Sequence, residues 1–538
     1  MKKTSRLLFF LTTTFLLVYC ARTGRPDGGP KDEEAPLFVT ANPPYKSTKF
    51  DEKEIKINFD EFIRLKNLNK QLVVSPPLKN PPIITPQGTP SKYIKIEILD
   101  TLQPNSTYIF NFGNAVEDNN EGNKLENFKY VFSTGDYIDS LTIAGNTKDA
   151  KLPKGEKNIN VLLYKIDSSY NDSIVYKSKP NYITSTLDST LFNFTNLRKG
   201  KYLMIALKET NSDYIFNPVT DKIGFLKDTI ELPRDSIINE PLVLFNEDLP
   251  FEYKRAKEVT KGKIEFGFSG NKKNFKVELL SKVTDTFKSV SKFMIDKDTL
   301  NYWYTPVDVD SLNFIVKNND FLDTVTVKLR KKEIDSLKID VSTKRILHLK
   351  DTFLIQTNNP IVKIDTSKIS LFDKDTLAVK FSITSSLKEN KIALIFDKKP
   401  NDSYRFTALP EAFTDVYNIK NDTIKHSLIT RDIEDYGRIT LNVNNPNNRS
   451  VIVDLLSGSK QDVIVERKII NTTSQLIFDL LQPKKYTIRA IIDDNKNGKW
   501  DTGNFLKRVL PEKIIYHPQI NNAALRANYY LEDNLLIE

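Results

Sequence analysis

The chain has 538 residues, 39% of them hydrophobic and 28% charged, and a formal net charge of +10. That apolar share supports packed cores and excludes wholesale disorder, while the length implies about three to five domains. Charges of both signs are interspersed, and basic groups such as Lys272-Lys273 and Arg330-Lys331-Lys332 are scattered rather than gathered, which argues against a nucleic-acid partner.

Lys2, Lys3 and Arg6 precede an apolar run from Leu7 to Val18. This is the pattern of a secretory signal over residues 1–19, and it is too short to span a bilayer. Cys20 is the sole cysteine, so it forms no intrachain disulfide. Its place just past the run suggests the lipid-modified, palmitate-bearing first residue of a mature exported protein, the alternative being an ordinary buried cysteine inside an uncleaved signal. Tyr19 departs from the small residue that normally precedes such a cysteine, and no competing small-x-small cleavage site occurs after it. Residues 20–36 are rich in Pro, Gly and charge and are expected to be an extended tether. No later stretch approaches the ~20 apolar residues of a membrane helix.

From residue 37 the pattern is all-β. Ile55–Phe59, Ile94–Ile98 and Tyr108–Phe112 alternate apolar and polar, and Phe128–Thr134 closes an Ig-sized sandwich over 37–136. A second unit over 140–246 is read from Leu141–Ile143, Val161–Tyr164, Leu191–Phe194 and Tyr202–Ala206. A third, over 260–335, is read from Ile264–Phe268, Phe275–Leu279, Leu300–Tyr304 and Val325–Leu329. Internal repetition supplies the rest. Phe194-Thr-Asn-Leu-Arg-Lys-Gly-Lys-Tyr202 matches Phe478-Asp-Leu-Leu-Gln-Pro-Lys-Lys-Tyr486, 284 residues on. Ser106–Phe110 with Ala115–Asp118 after it is similar to Asp402–Phe406 with Ala412–Asp415 after it. The expected architecture is therefore tandem Ig-like (37–136, 338–431) and transthyretin-like (140–246, 436–538) β-sandwiches around one further sandwich, in an elongated array, a rod or an arc.

The best candidate for ligand chemistry is Asp493-Asp-Asn-Lys-Asn-Gly-Lys-Trp-Asp501. Oxygen-bearing side chains at Asp493, Asn495, Asn497 and Asp501, with Gly498 permitting a tight turn, match a Ca²⁺ loop. The twelfth position is Asn504 instead of a bidentate Glu, and strands flank the loop, so an Asx-rich β-turn is the alternative. The earlier counterpart (Glu209, Asn211, Asp213, Asn217) lacks the glycine. His348, His426 and His517 are isolated in sequence, and no nucleophile motif, phosphate loop or dinucleotide fingerprint occurs, so no catalytic residues are expected. In Tyr302-Trp303-Tyr304 the alternation turns Trp303 away from its neighbours, which makes it a candidate for stacking on a sugar or partner, against the commoner role of core packing.

The signal with Cys20, the Gly28-Gly29-Pro30-Lys31-Asp32 tether and the sandwich ending in Phe132-Ser-Thr134 resemble Bacteroidota lipoproteins with an N-terminal Ig-like domain of the surface-layer type. Tyr486 and Asp493–Gly503 are similar to their C-terminal module, and Lys31-Asp32-Glu33-Glu34, otherwise a solvated linker, is similar to their Lys-acidic-acidic export signal. The resemblance implies an outer-membrane lipoprotein, anchored through its lipid and exposed at the cell surface or, alternatively, on the periplasmic face. It brings no catalytic residues. The expected function is a non-enzymatic scaffold or accessory subunit of an outer-membrane protein complex. The alternative is a glycan-binding or adhesive surface module.

Overall fold

The computed structural model describes residues 31–168, 170–294, 297–330, 332–386, 390–459 and 462–537. Strands dominate, and the α-helical content among these residues is the single turn Leu68–Gln71. The sheets fall into five successive groups along the chain.

In the first unit, one sheet has the order Phe38–Asn42, Glu54–Leu65, Ser91–Glu97, Ile83–Thr85, with Val116–Asp118 added beside Glu54–Leu65. The facing sheet is Val73–Ser75, Thr107–Gly113, Phe128–Ser133. Alternation decides which residues meet between them: Ile55, Ile57 and Phe59 from one sheet pack on Tyr108, Phe110, Phe112 and Phe132 from the other. The fourth unit repeats this order, from Ile339–Val341 to Ile424–Ile429, except that Phe413–Asp415 pairs with an extra strand, Ile361–Ile364, as a separate two-stranded sheet. The third unit, between Glu252–Thr260 and Phe321–Lys328, has the same order without that pair.

The second and fifth units share a different plan. The second has the sheet Tyr182–Ser185, Asn160–Lys165, Gly200–Lys208, Lys222–Phe225, faced by Leu191–Leu197, Leu141–Asp149 and Leu242–Leu244. The fifth has Val463–Ile470, Val451–Ser457, Lys485–Ile492, Ile514–Ala524, faced by Ser474–Leu481, Gly437–Asn444 and Tyr530–Leu536. In both, the last strand runs parallel to the first. The sequence repeats thus coincide with repeats of topology.

Neighbouring units are joined by specific contacts. Ser75 Oγ accepts the N–H of Ile183 at 3.1 Å between the first and second, and Tyr417 Oη donates to the carbonyl of Gly262 at 2.7 Å between the third and fourth. Between the fourth and fifth, His348 lies edge-on to Tyr436 with ring centroids 4.9 Å apart, and Lys350 pairs with Asp479. The tandem array curves along this path. Its fifth unit comes to rest on its second.

Candidate functional site

The contact between the second and fifth units is built from a loop and a sheet face. Strand Lys485–Ile492 delivers the chain into the Asx-rich turn. Asp493, 2% exposed, accepts the N–H of Asn497 at 2.9 Å and that of Gly498 at 2.9 Å, which curls the backbone back on itself. Gly498 has φ +76°, a left-handed conformation that glycine adopts without a Cβ penalty. The side-chain amides of Asn495 and Asn497 both reach the same oxygen of Asp501, and the Lys499 ammonium lies 3.1 Å from the other. Burial works against the charge on Asp501, but these donors outweigh it and hold its carboxyl below the usual range.

Glu512 braces the turn from behind, accepting the N–H of Asp494 at 3.1 Å and of Asp501 at 3.0 Å, while its carbonyl accepts the Trp500 indole N–H at 3.0 Å. Burial, and then the charges of Asp501 and Asp493, push the Glu512 carboxyl up. The turn therefore brings together all four residues of the expected calcium set, two as carboxylates and two as amides. Among the described residues, no group of three or more His, Cys, Asp or Glu side chains is placed to hold a metal ion. The earlier counterpart is arranged otherwise. Glu209 is pushed up by burial and is tied to the Tyr214 N–H and the Asn160 amide, each at 2.8 Å.

The segment after the turn, Thr502–Val509, makes the larger contact. Phe505 is fully buried, and it is buried in the second unit's core rather than its own, edge-on to Phe225 with centroids 5.4 Å apart. Its N–H donates to Glu247, whose carboxyl is raised by burial. Arg508 stacks over Phe505 at 4.6 Å and extends its guanidinium to Asp172 and, at 3.3 Å, to Tyr170. Burial and the neighbouring Asp172 push the Tyr170 hydroxyl up to about 12. Thr502 donates to the carbonyl of Asn246 and Tyr516 to that of Lys151, while the Lys151 ammonium lies 4.3 Å over the Trp500 ring. A Cβ on Gly503 would lie 2.6 Å from the Phe245 ring, so this close approach requires glycine.

The sheet behind the loop is covered on both faces. Val451, Val453 and Leu455 point into the fifth unit's own core, while Ile452 joins Ile491 and Ile514 on the other face, against Trp500 and Tyr516. Asp454 lies on that outer face, inaccessible to solvent, held by Arg467 at 2.6 Å and Arg489 at 2.6 Å. Two guanidiniums on one buried carboxylate satisfy its lone pairs bidentately and let an ionic group persist there.

Of the other sequence candidates, Cys20 lies outside the described residues. Among those residues, no helix is long and apolar enough to cross a membrane. Trp303 does not offer a free stacking face: it is 1% exposed, as is Tyr304, and the Lys263 ammonium sits 5.3 Å from its ring. Both faces of its strand are buried, which alternation alone does not reveal. The three histidines each bond a backbone carbonyl, those of Leu480, Thr343 and Asn534 respectively. Sequence reasoning missed Phe505, Arg508 and Tyr516. The available signals were the aromatics Trp500 and Phe505 inside a polar loop, and the apolar run Val451-Ile-Val-Asp-Leu-Leu456, interrupted only by Asp454, which marks a strand covered on both sides.

A family model described as a bacterial Ig-like domain matches residues 32–134, the first sandwich. No curated protein matches the sequence. Solved structures are similar at low identity and low TM-score. Domains 1–6 of the surface-layer protein SbsC are 11% identical, covering 91% of this chain and 68% of theirs, with a TM-score of 0.16. Titin domains A168–A170 are 11% identical over 45% of this chain and 93% of theirs, at 0.14. A Bacteroides ovatus protein of a mixed-linkage glucan utilization locus, SGBP-B, solved with a heptasaccharide, is 13% identical over 63% of this chain and 88% of its own, at 0.17.

Proposed function

We propose that this chain is a lipid-anchored, non-enzymatic outer-membrane lipoprotein that serves as a scaffold or accessory subunit of a membrane protein complex, held to the membrane through Cys20. The observation that carries the reading is the seating of the fifth unit on the second. It joins the ends of a four-sandwich path into one preformed frame, which the first unit precedes in the chain. A preformed frame presents several surfaces in fixed relation and meets partners without first paying the entropy of ordering its domains. Trp303, the residue that favoured a glycan-binding reading, is buried and gives it no support.

Metabolic labelling with a palmitate analogue, followed by mass analysis of the mature N-terminus, tests the anchor. The label is expected on Cys20 and absent from Cys20→Ser, which should leave the membrane fraction. Pull-down from detergent-solubilised membranes tests the scaffold role, and a reproducibly solitary protein would contradict it. Shaving intact cells with protease separates the external face, where the protein is lost, from the periplasmic one, where it is protected.

The proposal extends to calcium at the 493–501 turn. Asp493, Asn495, Asn497 and Asp501 are the oxygen-bearing set that a hard cation takes, and an ion there would compete with Lys499 for Asp501. Millimolar calcium is then expected to raise the unfolding midpoint and EGTA to reverse it. No shift with either removes calcium and leaves the scaffold reading standing.

A further inference from the structure

Away from the loop contact, an open cleft of about 970 Å³ runs between the first and second units. Its wall on the first unit carries Asn111, Asn114 and Lys129, and its wall on the second carries Asn146, Thr184 and Thr186. Asn111 and Lys129 are cross-strand partners, so their side chains stand together on the outer face of their sheet.

Lys129 is half-buried, and no hydrogen bond or ion pair to its ammonium is formed among the described residues. Burial by itself lowers its affinity for the proton. The carboxylate that lines this cleft, Asp188, stands exposed at the rim. Asn114 and Asn146, both in the cleft lining, each leave a side-chain oxygen buried without a partner. Leu191 and Ile237 flank the polar lining and are 65% and 71% exposed.

We propose that this cleft binds an oligosaccharide bearing carboxylates, a uronic-acid chain. Amide and hydroxyl side chains each donate and accept, as adjacent sugar hydroxyls do. The unpaired ammonium supplies the charge-assisted contact that a ring carboxylate requires. Exposed aliphatic side chains suit the apolar faces of the rings, and the volume is at the upper end of small-ligand sites, enough for several sugars. This inference stands apart from the scaffold reading and survives its failure.

The test is an array of neutral and uronate oligosaccharides matched in length and probed with the full chain. Calorimetry then compares the best-retained uronate with its methyl ester. Uronates are expected to be retained, the ester to bind about tenfold more weakly, and Lys129→Met to lose the same preference, as for the loss of one charged hydrogen bond. Without ligand, Lys129→Met should melt no lower than wild type, because it removes an unpaired desolvated charge; this separates loss of binding from misfolding. Asn146→Ala should weaken binding to both forms of the sugar. Retention of no uronate, or equal uronate binding by wild type and Lys129→Met, overturns the proposal.

Discussion

Phe505 fills space in another domain's core, so its truncation costs more than a surface contact. Phe505→Ala should leave a cavity against Phe225 and lower stability by about 3–5 kcal/mol, read as an early loss of cooperative unfolding with strand content intact at 20 °C. Glu247 gives a second prediction, in pH. Burial raises its folded-state carboxyl above the ordinary 4.5, so between 4.5 and the raised value the folded chain binds more protons than the unfolded one. Stability from this group therefore declines as pH rises through that window and is fully present below it. Glu247→Gln keeps an acceptor for the Phe505 N–H and removes the titration. The expected outcome is a variant that melts higher than wild type at pH 7, with the difference vanishing toward pH 4.

At the scale of elements, strands were legible wherever one face is buried and the other wet, as in Ile55–Phe59 and Ile264–Phe268, because a period of two needs no knowledge of the partner. The same rule left two roles open for Trp303, and its burial bears out the commoner one, core packing. Alternation says which residues share a face, but what covers the second face is decided by tertiary packing. The turn at 493–501 was legible as a turn from its Asx residues and Gly498, yet what the segment packs against depends on Trp500, Phe505 and Arg508, whose partners lie some 250–350 residues away. Cores formed by neighbours in sequence can be read from sequence, whereas a core completed by a distant loop cannot. Two substitutions test the element. Gly503→Ala would bring a methyl group against the Phe245 ring and the Val509 carbonyl, at 2.6 and 2.7 Å, and is expected to release the loop without disturbing the fifth unit's own sheets. Asp454→Asn leaves Arg467 and Arg489 without their shared carboxylate, and should destabilise the fifth unit by about 3 kcal/mol in denaturant unfolding.

For the whole molecule, the contact changes what a tandem array can do. Five sandwiches joined end to end would sample many shapes, since interfaces between neighbouring domains in one chain are usually small and permissive. Here the fifth unit contributes an aromatic side chain to the second unit's core and buries an ionic cluster on the outer face of the sheet behind that loop, which restricts the path to an arc. Small-angle X-ray scattering on wild type and on two variants, Phe505→Asp and Arg508→Glu, tests this most directly. The first places a charge in an apolar core and the second sets like charges against Asp172. With circular dichroism confirming intact strands, both variants are predicted to show a larger maximum dimension and radius of gyration than wild type. Superimposable scattering curves for all three proteins would contradict the account.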